Sequence, residues 1–139
     1  MSNVDKLKKQ HSDILALIQQ IDTLAGQDLK NNAKEIAFQI NSLSGKLKMH
    51  LMSEDQFLYP SLMNSENSSV KNTAQKFNQE MGGLADKLGQ FVQNFNTASK
   101  ILQNEGTFTV EAKKMFQLII DRTNREDRQL YPLIDGTLS

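Results

Sequence analysis

Four side chains able to bind a metal stand at related positions in this chain: His11, His50, Glu54 and Glu126. His50 and Glu54 are four residues apart, so one helix face carries both, and His11 can approach the same point from a facing helix. The chain has no cysteine, which leaves imidazole and carboxylate as its only strong ligands. The stretch from His50 to Pro60, H-L-M-S-E-D-Q-F-L-Y-P, returns in altered form from Arg122 to Pro132, R-T-N-R-E-D-R-Q-L-Y-P. The two copies agree at Glu54/Glu126, Asp55/Asp127, Leu58/Leu130, Tyr59/Tyr131 and Pro60/Pro132. The first opens with a histidine and the second with an arginine. A lone i, i+4 His/Glu pair is a weak signal; its return in phase with an apolar stripe is a strong one.

Helices must position these groups. Leu7, Ile14, Leu15, Ile18 and Ile21 recur at helical spacing, with His11 on the same stripe, and Gly26 supplies a stop. A second helix begins near Asp28, with Asn32 and Glu35 in capping-box spacing. Its inner stripe reads Ile36, Ile40, Leu43, Leu47, His50, Glu54, Phe57. Pro60 limits how far that helix continues undistorted. After the loop-like N-S-E-N-S-S from Asn64, Ser68 or Ser69 caps a third helix carrying Val70, Ala74, Phe77, Met81, Leu84, Leu88, Phe91 and Phe95. Gly82 and Gly83 interrupt it, which suggests close approach of a neighbouring helix, or a bulge beside Met81. Asn104 to Gly106 end it, and Thr107 or Thr109 starts a fourth helix with the stripe Met115, Leu118, Arg122, Glu126, Leu130, Leu133. The expectation is an all-α chain: one domain over 1–139, an antiparallel up-down-up-down four-helix bundle.

Setting His11 against Met81 extends the repeat to helices one and three. Each hairpin then brings three inward residues to one level: His11, His50 and Glu54 from the first, Met81, Arg122 and Glu126 from the second. On these residues, and on the two E-D-x-x-L-Y-P motifs, nearly the whole chain resembles the hemerythrin-like (HHE cation-binding) family. The resemblance implies a four-helix bundle holding two irons, bridged by two carboxylates and otherwise ligated by histidines. It implies roles in oxygen carriage, oxygen or redox sensing, iron handling or nitric oxide response. It makes Glu54 and Glu126 the bridging carboxylates, with His11 and His50 serving one metal. The histidines expected for the other metal stand here as Met81 and Arg122. Met81 reads as a core filler, with a thioether ligand as the alternative.

Buried, Glu54 and Glu126 need positive partners. Three arrangements remain open. One divalent ion, iron by resemblance or else zinc or manganese, sits on His11, His50, Glu54 and Glu126 while Arg122 replaces the second metal; the summed charge then leaves room for one hydroxide or other anion. Alternatively there is no metal, Arg122 bridges the carboxylates and a protonated histidine completes neutrality. The third is a surviving di-iron centre. The corresponding functions are a non-catalytic metal-binding protein of oxygen, redox or iron response, with dioxygen as a small ligand, and a structural or protein-interaction module. A histidine phosphotransfer bundle would need an exposed histidine. Tyr59 and Tyr131 read as helix-end anchors whose phenols bond at the rim, and Lys46, Lys48, Arg125 and Arg128 as solvated or ion-paired surface.

Bulk properties narrow the field. Sixteen basic and sixteen acidic residues among 139 give no excess charge to attract nucleic acid or anionic lipid. No stretch has the length and apolarity of a signal peptide or membrane span, so a cytoplasmic, soluble protein is expected. No nucleophile motif or glycine-rich phosphate loop points to an enzyme.

Overall fold

The computed structural model describes residues 3–138, the last four by backbone alone, and they are almost entirely helical. A helical stretch, Asn3–Ser53, is broken at Asp28, whose φ of −162° and ψ of 95° are extended. Its arms are α1 (3–27) and α2 (29–53). The break follows from Asp28 acting as a cap: its carboxylate accepts from the backbone and side-chain amides of Asn31. Asn32 instead reaches back to the Leu24 carbonyl, which ties the two arms together at the turn. Further along, Gln10 meets Ser53 and His11 meets His50, so the arms lie side by side.

The chain continues through Glu54–Leu58 into α3 (Tyr59–Met63), then α4 (Ser68–Phe95), a short α5 (Ala98–Gln103) and α6 (Glu105–Arg125), and through Glu126–Leu130 into α7 (Tyr131–Leu138). Asn67, not Ser68 or Ser69, caps α4 by accepting from the amides of Ser69 and Val70. The third helix stops at Phe95 rather than near Asn104. Thr97 caps α5 through the Lys100 amide, and α6 begins at Glu105, ahead of both threonines.

Glu54–Leu58 and Glu126–Leu130 are single π-helical turns, in which the Tyr59 and Tyr131 amides bond five residues back to Glu54 and Glu126. The prolines explain both. Pro60 and Pro132 have no N–H to give, and their rings crowd the carbonyls of Gln56 and Arg128, so the ladder slips by one residue just before them. The slip rotates everything after it. Phe57, expected on the inner stripe, is half exposed, while Leu58 and Tyr59 are buried. In the last helix Tyr131 and Ile134 are buried beyond the turn; ahead of it, and not because of it, Leu118, expected inside, is exposed and Ile119 is buried.

The apolar core has two parts. The larger joins Ile14, Ile18, Ile21, Ile36, Ile40, Leu43, Leu47, Leu88, Phe91, Phe95, Ile101, Phe108, Phe116 and Ile119, among others. The smaller joins Val4, Leu7, Leu58, Tyr59, Leu62, Val70, Ala74, Phe77, Leu130, Tyr131 and Ile134, with Met81 packed against it. Each of the large side chains contributes about 1.5–3 kcal/mol by leaving water. Between Leu7 and Ile14, between Leu47 and Leu58, and between Ile119 and Leu130, the core is interrupted at one level. Those gaps hold His11, His50 with Glu54, and Arg122 with Glu126. The glycines at 82 and 83 make no close helix contact: both are exposed, α4 runs through them unbroken, and a Cβ at either would meet nothing within 4 Å.

Candidate metal centre

One donor atom each from His11, His50, Glu54 and Glu126 lies within 4.8 Å of all the others. All four side chains are buried, none more than 3% exposed. His11 Nε2 lies 2.8 Å from Glu126 Oε1 and 3.0 Å from His50 Nε2. His50 Nε2 lies 3.3 Å from Glu126 Oε1 and 3.5 Å from Glu54 Oε2. The sequence placed these four residues at one level, and the structure brings them to one point.

Two residues that sequence reasoning passed over orient the imidazoles. His11 Nδ1 is 2.9 Å from Asp127 Oδ1, and His50 Nδ1 is 2.8 Å from Gln10 Oε1. Each Nδ1 thus has an oxygen beside it, and each Nε2 faces inward toward Glu126. An outer oxygen of this kind is what fixes the ring orientation of metal-binding histidines. The signal available in the sequence was adjacency: Gln10 precedes His11, and Asp127 follows Glu126.

Tyr131 is the larger correction. It is not at the rim; it is fully buried, and its hydroxyl lies 3.0 Å from His11 Nε2, 3.0 Å from Glu54 Oε2, and 3.4 Å from both His50 Nε2 and Glu126 Oε1. In an unbroken α-helix a residue five places after Glu126 would sit roughly 140° around the axis from it. The π turn cancels that offset and returns Tyr131 to the Glu126 face.

Arg122 occupies the other half. Its Nε donates to Glu126 Oε2 at 3.2 Å, and its Nη2 donates to the Tyr59 hydroxyl at 3.0 Å and the Phe77 carbonyl at 2.9 Å. Its Nη1 has no hydrogen-bond partner and meets Glu80 only as an ion pair at 3.5 Å. Arg122 and Arg125 both lie against the Phe77 ring, at 4.7 and 4.8 Å from its centroid. Arg125, read as solvated or ion-paired surface, pairs with Glu80, to which it donates at 2.8 Å, and that bond holds the Glu80 carboxyl below the usual range. Glu126 therefore faces two ways, one oxygen toward the imidazoles and one toward the guanidinium. The expectation that a metal-free core has Arg122 bridging both carboxylates needs correction: its hydrogen bond goes to Glu126, whereas Glu54 Oε2 accepts from Tyr131 and Glu54 Oε1 has no hydrogen-bond partner.

The two carboxyls are pushed apart in acidity. Burial, then the charge of Glu126, raises Glu54 to about 10. Burial also pushes Glu126 upward, but hydrogen bonds from His11 and His50 outweigh it and hold that carboxyl well below the usual range. Without a bound ion, the pair keeps its one proton on Glu54. Burial, reinforced by the neighbouring carboxylates, raises Tyr131 strongly, and burial raises Tyr59.

The model of the hemerythrin HHE cation-binding domain matches residues 2–134. This chain belongs to that family. Comparisons with curated proteins and with solved structures each gave no match. Within the family's frame, the donor set fits a cation. Two imidazoles and two carboxyls converge with the Tyr131 hydroxyl among them, and one buried carboxyl oxygen, Glu54 Oε1, is left without a hydrogen-bond partner. The second half does not fit one: Met81 is only partly buried beside the smaller core, and Arg122 puts a permanent cation against Glu126.

Proposed function

We propose that this chain is a non-catalytic hemerythrin-like protein that holds one divalent metal on His11, His50, Glu54 and Glu126, in an oxygen, redox or iron response. The observation that carries the reading is that one donor atom each from four buried side chains, His11, His50, Glu54 and Glu126, lies within 4.8 Å of all the others. Arg122 stands where a second metal would need a ligand, so the count is one. Iron bound there supplies one-electron redox chemistry and a Lewis-acidic centre for a small ligand such as dioxygen. The protein's own part is to hold the imidazole lone pairs inward through Asp127 and Gln10, to keep water out with the two cores, and to anchor Glu126 on Arg122.

The reading takes the chain as one domain, an antiparallel up-down-up-down four-helix bundle working in the cytoplasm without nucleic acid. Its balanced charge supports this, as does the finding that no described helix is long and apolar enough to cross a membrane. The burial of both histidines stands against a phosphotransfer role.

A metal-free module in structural or protein-interaction work is the second reading. The Arg122–Glu126 ion pair favours it, since that pair neutralises one carboxylate without any ion. Anaerobic reconstitution with ferrous iron, followed by desalting and elemental analysis, separates the two. One equivalent is expected, lost in His50→Ala and Glu54→Ala; protein that leaves the column without metal would leave the second reading standing.

A further inference from the structure

We propose that Tyr131 is a fifth ligand of this centre, binding the metal through its phenolic oxygen; the proposal rests on the single-metal reading above. Groups that only steer ligands touch them from outside. Gln10 and Asp127 do so, each meeting the outward Nδ1 of one histidine. The Tyr131 oxygen is on the inner side, within 3.4 Å of one donor atom from each of the four ligands. Donors bound about 2.0–2.2 Å from one ion stand roughly 3.0–3.5 Å apart along the edges of its coordination polyhedron. The His11–His50, His50–Glu126 and His50–Glu54 separations of 3.0, 3.3 and 3.5 Å fall in that range, the His11–Glu126 separation of 2.8 Å lies just below it, and all four separations to Tyr131 fall within it. By distance, Tyr131 cannot be told from the ligands.

Charge points the same way. Two carboxylates with Arg122 and a dication leave one positive charge in a buried site, and burial makes uncompensated charge expensive. A phenolate removes it without recruiting hydroxide from solvent. Forming the metal–oxygen bond breaks the O–H bond; the proton that Tyr131 directs at Glu54 Oε2 is released to the buffer, and no electron moves. The repeat makes the assignment specific to one tyrosine. Tyr59 holds the matching position in the first copy, but its hydroxyl accepts from Arg122.

The test is spectroscopic and uses the full chain. Protein loaded with ferrous iron under anaerobic conditions is treated with one equivalent of ferricyanide, which takes one electron from the iron, and is then desalted. Iron content, the visible spectrum and resonance Raman are recorded for the parent, Tyr131→Phe and Tyr59→Phe. A tyrosinate-to-iron(III) charge-transfer band with enhanced phenolate ring modes is expected in the parent and in Tyr59→Phe, and is expected to vanish in Tyr131→Phe. Because the chain has only two tyrosines, a band kept in Tyr59→Phe is assigned to Tyr131 even if Tyr131→Phe fails to fold. One bound iron with no band in the parent overturns the proposal and leaves the single-metal reading intact. A band that survives in Tyr131→Phe also overturns it. Protein that binds no iron overturns both.

Discussion

Replacing Arg122 with leucine should be the most damaging single substitution in the metal-free protein. The guanidinium is 8% exposed and makes three hydrogen bonds, to Glu126 Oε2, the Tyr59 hydroxyl and the Phe77 carbonyl, besides lying on the Phe77 ring. Leucine restores some packing but leaves Glu126 as a buried anion without its guanidinium partner. Breaking a buried pair from one side costs about 3–5 kcal/mol. For a chain of this size that corresponds to a fall in Tm on the order of 10 °C or more. Thermal and urea denaturation of chelator-treated protein measure it. The double variant Arg122→Leu/Glu126→Gln removes both charges and should regain part of the loss, because the cost lies in the stranded charge rather than in the missing contacts. If Arg122→Leu melts where the parent does, Glu126 is not held by Arg122 and the account of the second half of the site is wrong.

Further outcomes follow from the acidities and from the outer oxygens. Glu54 is raised from its ordinary 4.5 to about 10, so ionising it disfavours the folded state. That penalty is absent below the unfolded value and grows as pH climbs toward 10, at up to about 1.4 kcal/mol per pH unit. Glu126 works in the opposite sense: its lowered pKa contributes stability above 4.5 that is lost as pH falls through its folded value. Metal-free protein should thus be most stable at mildly acidic pH and weaken toward alkaline pH; denaturation curves for Glu54→Gln that decline just as steeply would contradict this. For the same reason metal uptake at neutral pH should release the Glu54 proton, visible in calorimetry as a binding heat that depends on the buffer's ionisation enthalpy. Asp127→Asn weakens the hold on His11 and should lower metal affinity about 10–100-fold without changing the stoichiometry, read by competition with a chromophoric chelator; equal affinities would show that Asp127 does not orient the ring.

Much of the centre was legible because its residues lie on helices with strong apolar stripes. His11, His50, Glu54, Arg122 and Glu126 interrupt those stripes in phase, so periodicity alone assigned them to the interior, and the internal repeat set them at one level. For Met81 only the family resemblance implied a replaced ligand; the structure shows it packed against the smaller core. The helix ends were less well read. Asp28 broke the first stretch where capping chemistry allowed, but the break after Phe95 and the cap at Asn67 depend on which of several polar residues turns its side chain toward a free amide.

The sequence by itself determined that this is an all-helical chain with a histidine- and carboxylate-lined interior, intact in one copy of the repeat and altered in the other. Tertiary structure decided how those residues divide. Helical periodicity states which face a side chain occupies, not which neighbour it meets, and so it could not say that Glu126 takes Arg122 while Glu54 is left to Tyr131. The prolines were visible, but their effect was not. By forcing π turns at Glu54–Leu58 and Glu126–Leu130 they rotate the helices that follow, turning Phe57 outward and Tyr131 inward. A tyrosine read as a helix-end anchor thereby stands among the four candidate donors.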